Sequence, residues 1–128
     1  MKPAVEAAIA ALRTRYPNRV EHESLSDGGA KVTVAELSLT DGPYEQTDTW
    51  CSFTITFLHP YADIYPLFVR PDLRRKDGRA LGDAINLGRD FYGKPAIMLS
   101  RKTKLVGPEY PMDAALKVEK VIQWLISR

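Results

Sequence analysis

Few side chains in this sequence are capable of chemistry on their own. The chain has one cysteine, Cys51, and two histidines, His22 and His59. A single cysteine excludes an intramolecular disulfide and any zinc or iron–sulfur site built from several cysteines. The glycines of the central segment are Gly78, Gly82, Gly88 and Gly93. Their spacing is too irregular for a phosphate-binding loop, so we expect neither a metal nor a cofactor.

Cys51 lies in the clearest strand pattern of the chain. Residues Thr49 to Leu58 alternate, and the pattern places on one face Cys51, Phe53, Ile55 and Phe57. Three large hydrophobic neighbours predict a buried thiol, whose pKa rises because an apolar surrounding disfavours the thiolate. We therefore interpret Cys51 as structural rather than reactive.

Charge is distributed unevenly along the chain. Residues 1–69 carry 5 basic and 9 acidic side chains, whereas residues 70–104 carry 10 basic and 4 acidic ones. A basic segment suggests nucleic acid, an acidic protein partner or simply a solvated loop. The segment contains Phe91 and Tyr92 but no row of aromatic residues for stacking on bases. A nucleic-acid-binding module is thus supported by the basic segment alone, and we favour the other two interpretations.

Two amphipathic helices are predicted at the ends of the chain. In the first, an apolar stripe at helical spacing is formed by Val5, Ala8, Ile9 and Leu12. In the last, Asp113 is positioned to cap the helix. Its buried stripe consists of Ala114, Val118, Val121, Ile122 and Leu125.

Extended and irregular segments occupy the middle of the chain. Lys31 to Leu39 alternates as a strand, and Ile64 to Val69 is a further extended piece. Because Pro66 and Pro71 remove amide donors, this piece is predicted to be an edge strand at best. From Arg70 to Lys94 no regular period is found, which indicates a long ordered loop with a helical turn around 81–87. The order of elements predicts an α+β fold.

Length and composition indicate one globular domain, residues 1–128. Hydrophobic residues make up 45% and charged residues 27% of the 128, which is typical of a folded soluble domain. No apolar run approaches the roughly 18 residues of a membrane span. Glu6 interrupts the N-terminal segment where a signal peptide has its apolar stretch. We expect a cytoplasmic protein with no membrane partner.

The element order and one proline motif resemble a known superfamily. Phe53-Thr54-Ile55-Thr56-Phe57 leads into the segment Tyr65-Pro66-Leu67-Phe68-Val69-Arg70-Pro71. A β-meander that ends in a Tyr-Pro turn with a second proline resembles the ubiquitin-conjugating (UBC/RWD) superfamily. The resemblance covers nearly the whole chain. It implies a UBC/RWD-like fold with an N-terminal helix, an antiparallel meander, a long active-site loop segment and a C-terminal helix, and it makes Tyr65, Pro66 and Pro71 structural.

The resemblance also locates the position of the family's nucleophile. The family's Gly-x-x-Cys-Leu stretch corresponds to Gly93-Lys94-Pro95-Ala96-Ile97, so that Ala96 stands where a cysteine would accept the modifier as a thioester. A second register places Met98 there instead. The alanine is either native or a substitution of the catalytic cysteine, and we favour the substitution because alanine is the usual replacement for a catalytic residue. The family's His-Pro-Asn motif is absent upstream of Ala96. In this respect the chain resembles divergent bacterial members of the superfamily, some of which are encoded in antiviral defence operons.

Further roles are implied residue by residue, each beside a plainer structural reading. Asn86 would stabilise the thioester oxyanion, and Asp90 would deprotonate an incoming lysine. Arg13 and Arg15 would dock the activating enzyme. The modifier tail or the acceptor lysine would be oriented by Tyr92, Lys94, Ser100, Arg101 and Lys102. The plainer reading is that Arg13 and Arg15 are solvated helix charges, that Asn86 is a loop or capping residue, and that the others are loop residues.

The resemblance implies two functions. The first is a bacterial conjugating enzyme that accepts a ubiquitin-like modifier from an activating enzyme and transfers it to an amine of a target protein. The second is a non-catalytic adaptor of the same superfamily, which binds a ubiquitin-like protein or an activating enzyme. The missing cysteine supports the adaptor, because neither alanine nor methionine can form a thioester.

Overall fold

The computed structural model describes all residues, 1–128, and contains two helices and six strands. The helices are α1 (Pro3–Arg15) and α2 (Ala114–Ile126). The strands are β1 (Val20–Ser24), β2 (Ala30–Ser38), β3 (Asp48–Ile55), β4 (Leu67–Val69), β5 (Ile85–Phe91) and β6 (Lys94–Leu99). No helix has the length and hydrophobicity needed to cross a membrane.

The six strands form one antiparallel sheet in the order β1-β2-β3-β4-β6-β5. The first four strands are neighbours in chain order, as in a meander, and the β5–β6 hairpin extends the sheet beyond β4. The predicted α+β class is confirmed, with one helix before the sheet and one after it.

Both helices bury the stripes that the sequence predicts. In α1 the buried residues are Val5, Ala8, Ile9 and Leu12. At the start of α2, the Asp113 carboxylate accepts a hydrogen bond from the Leu116 amide at 3.0 Å, which confirms the predicted cap. The apolar face of α2 is buried along its whole length.

One face of the sheet forms the core together with the two helices. Its inward side chains include Val32, Val34, Cys51, Phe53, Ile55, Leu67, Val69, Ile97 and Leu99. Cys51 is fully buried, and burial raises the pKa of its thiol to about 12. This confirms the structural interpretation of Cys51. We call this side of the sheet the helix face and the opposite side the outer face.

Two predictions about the strands are wrong. Strand β3 ends at Ile55, so Phe57 lies beyond it and is 40% exposed instead of sharing the face of Cys51. The piece predicted as an edge strand is internal, because β4 pairs with β3 on one side and β6 on the other. Pro66 and Pro71 flank the three residues of β4, so each of these keeps the amide that its ladder needs.

The predicted long loop from Arg70 to Lys94 is also too long. It ends at Ala84, after which β5 begins, and the expected helical turn around 81–87 is absent. Strand β6 then occupies the segment expected to be an active-site crossing. Strand β6 pairs with β4, which is far away in sequence, and with β5, which it meets across a tight turn. A local sequence pattern reveals neither pairing.

Candidate functional site

The β5–β6 hairpin contains most of the predicted site residues. Tyr92 and Gly93 form its two-residue turn, with positive φ angles of 47° and 84°, as a type I′ turn requires. The Asp90 carboxylate accepts a hydrogen bond from the Gly93 amide at 2.9 Å. Asp90 therefore has a role in holding the turn, which is the plainer reading of this residue.

The tip of this hairpin bends over the outer face of the sheet. The ring of Phe91 packs on Phe68 of β4, with centroids 5.2 Å apart, and meets Tyr92 edge-on at 4.8 Å. The Tyr92 hydroxyl lies 3.3 Å from the Thr54 hydroxyl of β3. Phe91 is 8% exposed although it does not belong to the helix-side core. The hairpin thus covers part of the face that no helix covers.

Ala96 lies inside the sheet rather than on a loop. It is 1% exposed, and it sits in β6 opposite Arg89 of β5. Because Ile97 and Leu99 belong to the helix face, alternation directs Ala96 to the outer face. A side chain at this position has almost no contact with solvent.

The amide of Asn86 is occupied by hydrogen bonds within the protein. Its nitrogen donates to the Met98 carbonyl at 3.0 Å and to the Ser100 hydroxyl at 2.8 Å. Asn86 pairs with Met98 in the β5–β6 ladder, two residues along β6 from Ala96. The bonds tie the start of β5 to the end of β6, so Asn86 and Ser100 come together and both amide hydrogens of Asn86 are used within the protein.

The predicted cationic residues do not converge on one point. Each lies over a different aromatic ring, at distances that allow a cation–π contact. The nitrogen of Lys94 is 3.5 Å from the centroid of Trp50, and that of Lys102 is 5.3 Å from Tyr65. The guanidinium of Arg101 is 4.9 Å from Trp124 on α2. Lys94 is therefore on the outer face, whereas Arg101 is near the end of α2.

Arg13 and Arg15 lie in the last turn of α1 but contact different elements. Arg13 hydrogen-bonds His22 Nδ1 of β1 at 2.9 Å, and Arg15 lies 3.9 Å from Glu119 of α2. The two arginines therefore contact opposite neighbours of the helix, and both side chains stay exposed on the surface.

The residues of the proline motif flank β4, and Pro71 borders a depression that Arg70 and Asp72 also line. Tyr65 and Pro66 precede β4, joined by a cis peptide bond, and Pro71 follows it. Beside Pro71, Arg70 binds both oxygens of Asp72 at 2.6 and 2.8 Å. Hydrogen bonding to Arg70 lowers the pKa of Asp72, so this pair is ionised over a wide pH range.

Sequence reasoning missed a buried cluster around Lys117. This side chain of α2 is 6% exposed, and its ammonium lies 3.1 Å from Asp63. It also donates to the Arg101 carbonyl and the Thr103 hydroxyl, both at 2.8 Å. The signal was present, because Lys117 falls three residues after Ala114 on the buried stripe of α2. A lysine on such a stripe indicates a partner carboxylate.

No protein-family profile, curated protein or solved structure matches the chain. The one thiol is fully buried, and the predicted nucleophile position is buried as well.

Proposed function

We propose that the chain is a non-catalytic member of the UBC/RWD-like superfamily that binds a ubiquitin-like protein or its activating enzyme. The element order supports the superfamily assignment: helix, four strands in meander order, the Tyr65-Pro66 pair directly before β4, and a closing helix. The observation that carries the non-catalytic part is the burial of Ala96 within strand β6.

Thioester transfer requires a thiolate that large protein partners can reach. A cysteine at position 96 would be enclosed between β4 and β5, on a strand whose Ile97 and Leu99 belong to the core. Burial of a thiol favours its neutral form, as it does for Cys51. The competing function, a conjugating enzyme with its cysteine replaced by Ala96, therefore needs a rearranged β5–β6 hairpin.

Thiol reactivity distinguishes the two functions. We would introduce Ala96→Cys and, as a matched control, Arg89→Cys, which lies directly opposite on the exposed part of β5. The buried Cys51 gives a low background in both variants. We expect an aromatic disulfide reagent to modify position 89 quickly in native protein and position 96 at least about 100-fold more slowly, because attack needs an exposed thiolate. Equal rates would contradict the non-catalytic proposal.

Binding is tested with proteins encoded beside this chain's own gene, since the bacterial relatives it resembles are encoded beside ubiquitin-like proteins and activating enzymes. Each purified candidate is titrated against the chain by calorimetry. We expect saturable binding to one of them, and no reductant-sensitive adduct when the Ala96→Cys variant is incubated with both and ATP. The proposal would be overturned if neither protein bound, or if that adduct formed.

A further inference from the structure

A cleft of about 370 Å³ lies between the loop after β4 and the outermost strand β5. Its apolar lining includes Leu73, Leu81 and Leu87. Leu73 is buried, Leu81 packs partly against the core, and Leu87 is 61% exposed. The cleft thus has an apolar floor that runs from a buried leucine to an exposed one.

One wall of the cleft is fixed to the body of the protein. Residues 74–76 pair with residues 43–45: the Glu45 amide donates to the Arg74 carbonyl, and the Lys76 amide donates to the Pro43 carbonyl, both at 2.8 Å. Tyr44, between these bonds, is buried, and its hydroxyl donates to the Leu125 carbonyl at 3.0 Å. The wall is therefore already in place before a partner binds, which reduces the entropy lost on binding.

The rim of the cleft is basic. Arg74, Arg75, Lys76 and Arg79 line it, against a single acidic residue, Glu45. Arg74 pairs with Glu45 at 2.9 Å, and Arg75 pairs with Asp77 at 3.0 Å. Lys76 and Arg79 make no ion pair within the protein. Two exposed cations are therefore available to a partner of opposite charge.

Strand β5 offers backbone groups beside the cleft. It is the last strand of the sheet and pairs only with β6, and residues 87–90 are exposed. An extended segment laid along this edge would find unpaired main-chain groups, as in recognition by strand addition. Its side chains would alternate between solvent and the cleft.

We propose that this cleft binds an acidic, extended protein segment, which places an apolar side chain against Leu81 and Leu87 and its carboxylates near Lys76 and Arg79. The proposal adds a docking surface to the binding function above. It does not depend on that function, because the segment needs no ubiquitin-like fold.

An acidic peptide suits this surface better than nucleic acid does. The cleft contains exposed aliphatic side chains and the Glu45 carboxylate, and no aromatic residue lines it. Single-stranded nucleic acid is bound by cationic grooves with aromatic stacking platforms. The Glu45 carboxylate is paired with Arg74 and repels phosphates and carboxylates alike, so it does not distinguish the two ligands. The aliphatic side chains do, because they contribute to binding a peptide and offer no stacking surface for bases.

The test measures binding of three labelled probes by fluorescence anisotropy. The first is a ten-residue peptide of aspartate and glutamate with a central leucine, the second has serine in place of the leucine, and the third is a twelve-residue oligouridine. The test variant is the pair Lys76→Glu and Arg79→Glu. The control pair, Lys104→Glu and Lys120→Glu, makes the same change in net charge away from the cleft. A third variant, Leu87→Ser, removes the exposed leucine.

We expect the leucine peptide to bind to the unmodified protein. The Lys76→Glu/Arg79→Glu variant should lower its affinity by about tenfold or more, and the control variant should change that affinity less than about threefold. Leu87→Ser should lower the affinity for the leucine peptide and leave unchanged the affinity for the serine peptide, which binds more weakly. No binding of the leucine peptide, equal losses in the two charge-reversed pairs, or tighter binding of oligouridine would overturn the proposal. Self-association through the cleft, seen as a dimer in sedimentation that the Lys76/Arg79 pair abolishes, would also overturn it.

Discussion

His59 is a buried imidazole in the turn that follows β3. Its backbone amide donates to the Thr56 carbonyl at 3.0 Å, while its Nδ1 has no hydrogen-bond partner in the protein. Burial lowers the pKa of His59 below its usual value, and the nearby Asp113 carboxylate only partly opposes this effect. The neutral ring is thus the form that fits the folded protein.

Acidification should therefore destabilise the fold through His59. In the unfolded chain the imidazole takes up a proton near its ordinary pKa, whereas the folded protein does so only at lower pH. At pH values between the pKa of His59 in the folded protein and its pKa in the unfolded chain, the unfolded state binds more protons than the folded state. The free energy of unfolding therefore falls as pH decreases. We expect urea unfolding from about pH 8 to 5.5 to show this decrease, since carboxylates stay ionised there.

The variant His59→Gln should flatten this part of the pH profile. His22→Gln, which removes the exposed imidazole that hydrogen-bonds Arg13, is the control and should keep the decrease. A wild-type profile that is flat or rises towards acid pH would contradict the assignment.

The hairpin of β5 and β6 packs its tip on the outer face of the sheet through aromatic rings. The ring of Phe91 is buried against Phe68, although it lies on the outer face, whereas neighbouring Tyr92 is mostly exposed. Phe91→Ala removes a large buried ring and should lower the free energy of unfolding by about 3 kcal/mol. Tyr92→Phe removes only the hydroxyl near Thr54 and should cost less than about 1 kcal/mol.

Denaturant unfolding of both variants measures this difference. If Phe91→Ala cost no more than Tyr92→Phe, the hairpin tip would not be packed on the sheet. Ala96 would then be open to solvent, and the main argument for a non-catalytic protein would be lost.

The elements that the sequence predicts correctly are those whose signals are local. The stripe of α1 and the cap of α2 depend on residues three or four positions apart, and both are found as expected. Strand β5 has no such signal, since its interior is exposed and only Ile85 and Phe91 are buried. The signal that could have located β5 is the Tyr92-Gly93 turn, because the two positive φ angles of a tight hairpin turn favour glycine at the second position.

The candidate site was predicted less well for the same reason. Spacing from Gly93 identifies Ala96 as the candidate position along the chain. The burial of Ala96 depends on the pairing of β6 with β4, which is distant in sequence, and with β5, which is joined to it by a turn. The aromatic partners of Lys94 and Arg101 are Trp50 and Trp124, also far away in sequence. Such contacts follow from sheet order, which the sequence pattern alone does not determine.

At the scale of the whole molecule, the Lys117 cluster joins three segments. Its ammonium on α2 contacts Asp63, in the connection between β3 and β4, and Thr103, in the segment after β6. Asp63 also accepts a hydrogen bond from the Thr103 amide at 2.8 Å. The cluster therefore holds the closing helix, the proline-containing connection and the end of the hairpin in one arrangement.

Breaking one side of this ion pair should be much costlier than removing an exposed charge. Lys117→Met leaves the Asp63 carboxylate without its cation, which in a buried setting costs about 3–5 kcal/mol. Lys120→Met, three residues along on the exposed side of α2, is the matched control and should change stability by less than about 0.5 kcal/mol. Combining Lys117→Met with Asp63→Asn should cost less than the sum of the single changes, because the neutral amide no longer needs a cation. Urea unfolding of the four variants measures these differences. Additive effects, or a cost for Lys117→Met as small as for Lys120→Met, would mean that α2 is held by its apolar stripe alone.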